Sequence, residues 1–290
     1  FFVYRLSLKI EERGLYFYSF SEQPEKVYQL LVYDKTFDTP DLCGKTMYQI
    51  FPDRFHGAQI EIGAAPGMRF VHKDLSDIPD SKETNPNYAA TDFYGGNLRG
   101  IIEKIPYLTE LSVDILYLNP IVQSPSNHRY DTGDYLNVDP FLGTNEDFVE
   151  LCRRLKEVGI SVILDGVFSH TGADSIYFNK FGTYDSIGAY NSPKSPYASW
   201  YRLQETCNEY ECWWGFPNLP NVNENDPGYI DFICGERGVL RHWLSLGASG
   251  FRLDVADELP DEFIEKIRKT IKDFSPDALL IGEVWEDASN

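Results

Sequence analysis

The sequence has no CxxC cysteine pair, no long apolar run and comparatively few basic residues. Its five cysteines are an odd number without a CxxC pair, so neither a disulfide framework nor a zinc site is indicated. No apolar run approaches the roughly 18–20 residues of a membrane helix. Acidic residues outnumber basic ones by 45 to 26, and the net charge of −19 repels phosphate backbones and anionic lipids. These shortages argue against nucleic-acid and membrane partners and favour a neutral or cationic ligand.

A targeting signal is also missing from the visible start of the chain. The first thirty residues lack a basic beginning followed by a long apolar stretch, and the unpaired cysteines favour a reducing compartment. We therefore predict a cytoplasmic protein. Secretion stays open, because the chain opens on Phe1 rather than Met and its natural start is expected upstream.

Two sequence rhythms divide the chain. Residues 1–38 alternate short β-rich runs with turn residues, which predicts antiparallel strands and the remnant of a separate β domain. In residues 39–290, short apolar runs alternate with segments of helical period, which is typical of βαβ units on a parallel sheet. The apolar runs are MYQIFP (47–52), DILYLNP (114–120), SVILDGV (161–167), GFRLDV (250–255) and ALLIGEV (278–284).

Three segments between these runs are predicted to be helices. The clearest begins at Thr144, which forms a capping box with Asp147. A second covers about 97–111, where Pro106 is expected to kink it. A third covers 261–274, with apolar residues recurring at helical spacing.

Polar side chains occur at the carboxyl ends of the apolar runs. They are Asn119, Asp165, Arg252, Asp254 and Glu283. Alternate residues of a strand face the same way, so Arg252 and Asp254 share a face of their strand. Parallel strands bring such ends to one edge, which holds the active site in a (β/α)₈ barrel and the ligand crevice in a doubly wound sheet. We therefore predict a charged site at this edge.

An insertion follows the third apolar run. Asp165 and Asp254 are roughly 90 residues apart, whereas one βα unit takes roughly 30–40 residues. Residues 171–223 are rich in Tyr, Trp, Asn, Ser and Pro, which predicts a loop-rich subdomain beside the site. Trp213 and Trp214 are predicted to belong to the core of this subdomain.

Asp254 and Glu283 form a pair of carboxylates on neighbouring strand ends. Retaining glycoside hydrolysis needs one carboxylate that attacks the anomeric carbon and one that protonates the leaving oxygen. Arg252 is expected to lower the pKa of Asp254 and to hold that aspartate ionised. The alternative is a structural ion pair between Arg252 and Asp254, with Glu283 capping a loop.

Five motifs in chain order resemble those of the α-amylase family of glycoside hydrolases. They are YQIFPDRF (48–55), SNHRYDTGDY (126–135), DGVFSH (165–170), GFRLD (250–254) and GEVWE (282–286). Within that family, DVADE (254–258), YDTGDY (130–135) and LPNVN (219–223) are most similar to the neopullulanase, cyclomaltodextrinase and maltogenic amylase branch.

The resemblance covers about residues 40–290 and implies an architecture. The fold would be an α/β, TIM-type (β/α)₈ barrel of which about five strands are present, with the loop-rich subdomain inserted after strand 3. Residues 1–38 would be the tail of an N-terminal β-sandwich-like domain. In this branch that domain often mediates dimers, so a homodimer of the full-length protein is a further expectation.

The resemblance also implies roles for individual residues. Asp254 would be the nucleophile, Glu283 the general acid/base, and Arg252 the residue that orients and ionises Asp254. The substrate-binding residues would be His128, Tyr130, Asp131, Asp165, His170 and Trp285. Tyr130 would stack on the glucose at the cleavage site, His170 would donate to its 6-hydroxyl, Asp165 would bond to Arg252, and Trp285 would shape the leaving-group subsite. The alternative for His128 and Tyr130 is ordinary packing in a loop.

Three departures from the family pattern bear on activity. The chain ends at Asn290, before the third catalytic aspartate that the family carries near strand seven, so this chain alone is predicted to be inactive. Ser169 stands where many α-amylases have an asparagine that binds calcium. No metal residue is therefore assigned and no cofactor is required, although calcium is not excluded. Glu286 stands where many branch members have histidine, which leaves the balance of α-1,4 and α-1,6 linkages open.

Three functions are weighed on this basis. The first is a retaining glycosidase that cleaves α-1,4 bonds, with α-1,6 bonds as an open addition, in maltodextrins, cyclomaltodextrins or pullulan. The second is a non-catalytic member of the same fold that binds a glucan or a protein, against which the intact Asp254, Glu283 and Arg252 count. The third, a metal-dependent phosphoesterase, fits poorly because clustered metal ligands and a cationic phosphate site are missing.

Overall fold

The computed structural model describes residues 44–60, 67, 69–81, 90–203 and 209–285. The predicted tail of a β domain, residues 1–38, lies outside the described residues. Two compact units are distinguished: Leu42–Glu283 forms one, and Val284 and Trp285 belong to the other. In the described part of the chain, no helix combines the length and the apolar character that a membrane span requires.

Nine strands and six α-helices occur in the described residues. The strands are β1 (Met47–Ile50), β2 (Phe70–Val71), β3 (Asp92–Phe93), β4 (Ile115–Leu118), β5 (Val122–Gln123), β6 (Asp134–Val138), β7 (Ser161–Gly166), β8 (Gly250–Leu253) and β9 (Leu279–Gly282). The helices are α1 (Leu98–Glu103), α2 (Ile105–Glu110), α3 (Asn145–Glu157), α4 (Pro227–Cys234), α5 (Val239–Ser245) and α6 (Asp261–Phe274).

A five-stranded parallel sheet organises these elements. Its strand order is β1-β4-β7-β8-β9, and each connection between neighbours contains at least one helix. The five apolar runs of the sequence therefore form the five strands in chain order, as predicted. The described residues also form two small sheets: β2 pairs with β3 in parallel, and β5 pairs with β6 antiparallel.

The helix boundaries follow local capping chemistry. The Thr144 hydroxyl accepts a hydrogen bond from the Asp147 backbone N–H, and the Asp147 carboxylate accepts one from the Thr144 backbone N–H, which confirms the predicted capping box of α3. The predicted helix over 97–111 is two helices, α1 and α2, that meet at Lys104. Pro106 lies in the first turn of α2, where its missing N–H leaves no hydrogen bond unmade.

The two faces of the sheet have different chemistry. Leu116, Leu164 and Phe251 belong to the large apolar core shared with the helices. The opposite face holds a small apolar cluster that includes Ile115 and Ile163. Further along that face, the parallel register pairs Asp165 with Arg252. Because alternate residues face alternate sides, the same strands supply both a core and a charged site.

The inserted segment is irregular where the structure describes it. Residues 171–203 and 209–223 contain two 3₁₀ turns, Ala198–Trp200 and Trp213–Gly215, and isolated β-bridges that include Tyr201 with Val222. Trp200 is buried, but Trp214 is 66% exposed. The prediction that Trp214 belongs to the core of the insertion is therefore wrong, and Trp213 beside it is only partly buried. The division of the insertion into a subdomain stays a prediction.

Candidate active site

Arg252 lies at the centre of three carboxylates. Its Nη1 donates to Asp165 Oδ1 at 2.6 Å and to Asp254 Oδ1 at 2.7 Å. Its Nη2 lies 2.6 Å from Glu283 Oε2. The three acids come from the ends of β7, β8 and β9, so the parallel register of the sheet brings them together. One planar guanidinium thus orients both candidate catalytic carboxylates.

Asp165 is the fully buried member of the group. Its second oxygen, Oδ2, accepts hydrogen bonds from the hydroxyls of Tyr117 at 2.6 Å and Tyr130 at 2.9 Å. The Tyr130 hydroxyl in turn accepts from Asn119, whose side-chain oxygen accepts from Gln49. A hydrogen-bonded chain therefore runs from β1 across β4 to the carboxylates.

Glu283 is held by the backbone of the segment that follows the nucleophile candidate. Val255 adopts φ of 42°, a left-handed conformation that is strained for a β-branched residue. This turn directs the Val255 N–H to Glu283 Oε2 at 3.0 Å, and the Ala256 N–H donates to the Glu283 carbonyl. These two hydrogen bonds therefore join the ends of β8 and β9 at the charged edge.

The environment of Asp254 differs from the sequence-based expectation. Burial and the negative charge of Asp165 raise the pKa of Asp254 to about 7, although Arg252 opposes the rise. Arg252 therefore lowers this pKa, as expected, but does not bring it down to the ordinary value. The reason is that Arg252 is shared with Asp165 and Glu283, so its single positive charge does not compensate the desolvation of Asp254.

Tyr130 and His128 lie next to each other in the loop before β6. Their rings are stacked with centroids 5.9 Å apart, and the Tyr130 N–H donates to His128 Nδ1 at 3.1 Å. Burial lowers the pKa of His128. The neutral ring that accepts at Nδ1 carries its proton on Nε2. Asp131 is oriented differently, because its carboxylate accepts from the hydroxyls of Ser124 and Ser126 within the loop.

His170 follows β7 and is almost fully buried. Burial lowers its pKa to about 4, so the ring is neutral at physiological pH. Its Nδ1 lies 2.8 Å from Ser169 Oγ, and its ring centroid lies 5.6 Å from that of Trp213. In the described residues, no group of three or more acidic, His or Cys side chains is placed to hold a metal. We assign no catalytic step to a metal.

An aromatic platform, defined as Trp213, Trp214 and Phe216, begins beside His170. The two indole rings are stacked with centroids 5.4 Å apart, and Phe216 lies 6.1 Å from Trp213. Both indole N–H groups donate to one carboxylate, Glu258, at 2.8 Å each. Glu258 follows β8 and lies four positions after Asp254, so the segment that carries the nucleophile candidate also orients the platform.

The structure thus brings together most of the site residues predicted from the sequence. Trp285 belongs to the second unit, and its predicted role stays a prediction. Sequence reasoning did not assign Tyr117, Gln49 or Glu258 to the site. For Tyr117 a signal was available, since it stands two residues before Asn119 on the same face of its strand.

Comparison with known proteins indicates the same family as the sequence motifs. Residues 49–290 match the alpha amylase catalytic domain. The amylopullulanase of Thermoanaerobacterium saccharolyticum is 42% identical over 303 aligned residues, which cover 91% of this chain and 23% of that protein. Neopullulanase 2 of Thermoactinomyces vulgaris is 34% identical over 263 residues, which cover 88% of this chain and 41% of that protein. The chain spans less than half the length of these two relatives.

A solved structure indicates the same family. The cyclic α-maltosyl-(1→6)-maltose hydrolase of Arthrobacter globiformis, in complex with that cyclic sugar, superposes with a TM-score of 0.69 at 28% identity. The superposition covers 86% of this chain and 52% of that chain. The fold of this family is a (β/α)₈ barrel, to which the five parallel strands correspond in part. The chain therefore belongs to the α-amylase family of glycoside hydrolases, in its neopullulanase-like branch.

Proposed function

We propose that this chain carries the nucleophile and the acid/base of a retaining α-glucan hydrolase. The observation that supports this most strongly is the placement of Asp254 and Glu283 on the two terminal nitrogens of Arg252. Two carboxylates bound to one guanidinium lie close together. This proximity favours a separation of about 5 Å between the two carboxyl groups, as in retaining enzymes, over the roughly 6.5–9.5 Å of inverting enzymes.

The proposed reaction has two steps. Ionised Asp254 attacks the anomeric carbon while Glu283 donates its proton to the leaving glycosidic oxygen, which breaks the glycosidic bond and gives a covalent glucosyl-enzyme. Glu283, now ionised, removes a proton from water, and the water oxygen displaces Asp254 from the anomeric carbon. Two successive inversions return the product to the α configuration. Arg252 orients both acids throughout.

The surroundings of the carboxylates support a neutral sugar as substrate. The stacked rings of Tyr130 and His128 and the aromatic platform offer flat apolar faces, which suit the apolar faces of glucose rings. The net charge of −19 disfavours a phosphorylated substrate. The names amylopullulanase and neopullulanase, borne by relatives, support starch-like glucans as the substrate class. We propose α-1,4 bonds as the bonds cleaved, with α-1,6 bonds as an open addition.

Several accompanying predictions belong to this proposal. We propose a cytoplasmic location, no required cofactor and, for the full-length protein, a homodimer. The competing reading is a non-catalytic glucan-binding member of the family. The retained hydrogen bonds among Asp254, Glu283 and Arg252 favour the enzyme, since binding alone does not require this arrangement.

The proposal is tested by glucan hydrolysis. Reducing-sugar release from a cyclomaltodextrin and from pullulan is measured for residues 1–290 and for the protein with its natural adjoining sequence. We expect cleavage, with the α-anomer formed first in the NMR spectrum of the products. A β-anomer formed first would contradict retention. No cleavage by a folded longer protein, together with measurable glucan binding, would favour the non-catalytic reading.

The aromatic platform gives a second expected result. Trp214→Ala should raise KM for long maltodextrins by about tenfold and leave kcat nearly unchanged, because a stacking surface is lost without a change at the carboxylates. Phe181, in the same insertion and also 66% exposed, provides the matched control as Phe181→Ala. Equal KM changes in both variants would show that the platform does not contact the substrate.

A further inference from the structure

A buried ionic cluster contacts the loop that carries His128 and Tyr130. The cluster consists of Arg69, Arg129 and Asp139, whose side chains are 4%, 1% and 0% exposed. Arg69 directly precedes β2, Arg129 stands between His128 and Tyr130, and Asp139 directly follows β6. Two separate segments therefore converge on the carboxylate of a third, and none of these residues was assigned to the site by its motif.

The Asp139 carboxylate accepts a complete set of hydrogen bonds. Arg69 donates to both oxygens at 2.7 Å each, in the bidentate geometry that only a guanidinium provides. Arg129 Nη2 lies 3.3 Å from Oδ1, and the Phe141 N–H donates to the same oxygen. Burial would raise the pKa of Asp139, but Arg129 and Arg69 together hold it below its ordinary value.

The two arginines also bind the loop itself. Arg69 Nη2 donates to the Ser124 carbonyl at 2.5 Å, and the Ser124 N–H donates to Asp139 Oδ2. Arg129 Nη1 donates to the Asn127 carbonyl at 2.8 Å. The start and the middle of the loop are therefore both anchored on Asp139, through side chains that lie outside the five-stranded sheet.

The backbone at Arg129 explains why this anchoring matters. Arg129 adopts φ of 63°, a left-handed conformation that non-glycine residues rarely take. Such a conformation persists where surrounding contacts compensate its cost. Here the Arg129 side chain is fixed on Asp139, while the Tyr130 hydroxyl next to it reaches Asp165 at 2.9 Å. The left-handed backbone conformation at Arg129 thus determines where the Tyr130 side chain enters the site.

We propose that Arg69 and Asp139 are positioning residues for the reaction. They fix Arg129 and the Ser124 carbonyl, and so hold the loop where the Tyr130 ring faces the sugar and the Tyr130 hydroxyl binds Asp165. This inference rests on the proposed function. It extends the site to a segment near β2 that contacts neither the candidate catalytic carboxylates nor, in the proposed reaction, the sugar.

A double-mutant cycle tests the proposal. Arg69→Lys keeps the charge but loses the bidentate geometry, and it should lower kcat/KM for maltodextrins about 10- to 100-fold at temperatures well below melting. If Arg69 acts through Tyr130, the same substitution made in a Tyr130→Ala background should lower kcat/KM less than twofold further. Arg129→Lys, a second variant, should behave in the same way if Arg69→Lys fails to fold.

The control variant is a conservative change at an arginine that lies outside the cluster. Arg99→Lys alters another arginine–aspartate pair, with Asp147 on α3, and should leave kcat/KM unchanged. Equal losses from Arg69→Lys with and without Tyr130 would show that the cluster only stabilises the fold, and would overturn this inference alone. An unmodified full-length protein that hydrolyses no α-glucan would overturn the proposed function, and this inference with it.

Discussion

Replacement of Asp254 by asparagine should lower kcat for maltodextrins by about 10⁴-fold or more in the protein with its natural adjoining sequence. The amide cannot form the glucosyl ester, so the covalent route is lost rather than slowed. Asp257→Asn is the matched control, because Asp257 is exposed and stands three positions further along the chain. Initial rates of reducing-sugar release measure both variants, and substantial activity in Asp254→Asn would exclude this residue as the nucleophile.

The same variant has an expected effect on stability. The pKa of Asp254 is raised to about 7 in the folded protein, above its ordinary value of 3.8. A raised carboxyl pKa means that folding disfavours the ionised form, so wild-type stability falls as the pH rises from about 4 through 7. Asp254→Asn removes this dependence. Its melting temperature should therefore equal or exceed that of the wild type at pH 8, and a clearly lower value would contradict the stated electrostatics.

Rescue by a small anion separates a nucleophile from a residue that merely orients substrate. In Asp254→Ala, azide can occupy the space of the lost carboxylate and attack the anomeric carbon of an activated aryl α-glucoside. The product would be a β-glucosyl azide, because a single displacement inverts the configuration. Detection of this azide by NMR would support the assignment, and azide-independent residual turnover would oppose it.

Removal of Arg252 should have the second largest effect. Arg252→Met leaves Asp165, Asp254 and Glu283 facing one another without a compensating charge. An uncompensated buried charge costs about 3–5 kcal/mol of folding free energy. We expect kcat/KM to fall about 10³-fold or more, and the loss of stability to be larger at pH 8 than at pH 5, where protonation relieves the repulsion.

The pH dependence provides a sharper test of Arg252. The nucleophile must be ionised, so kcat/KM of the wild type should fall as the pH drops through about 7, the pKa of Asp254. Arg252 lowers that pKa, and its removal should move the acid limb to higher pH. Arg252→Lys should lie between the wild type and Arg252→Met, since one ammonium cannot span three carboxylates. An unmoved acid limb in Arg252→Met would contradict this account.

A surface arginine supplies the control for that experiment. Arg153 on α3 forms exposed ion pairs with Glu150 and Glu157, and such pairs contribute little to stability. Arg153→Met should therefore leave both the acid limb and the melting temperature close to those of the wild type. A comparable shift in both variants would indicate a general effect of lost positive charge instead of a local one.

The amino-acid sequence was sufficient to predict the five strands of the parallel sheet and the edge that holds the candidate site. Alternation of Arg252 and Asp254 with Phe251 and Leu253 encodes which face of β8 is apolar, and this pattern is local. The rule that parallel strands end at one edge then places Asp165 and Glu283 beside them. The capping box at Thr144 and the helix over 261–274 were predictable for the same reason, since both depend on residues close in the sequence.

Only the tertiary structure decided how these residues are solvated and which distant partners they meet. The sequence placed Arg252 next to Asp254, but the pKa of Asp254 depends on burial and on Asp165, which is 87 positions away from Arg252. Arg69 and Asp139 are 70 positions apart and share no motif. Trp214 looks like a core residue by composition but is exposed. Periodicity reports the face of a residue within its own element, whereas burial and long-range pairing arise from how the elements pack.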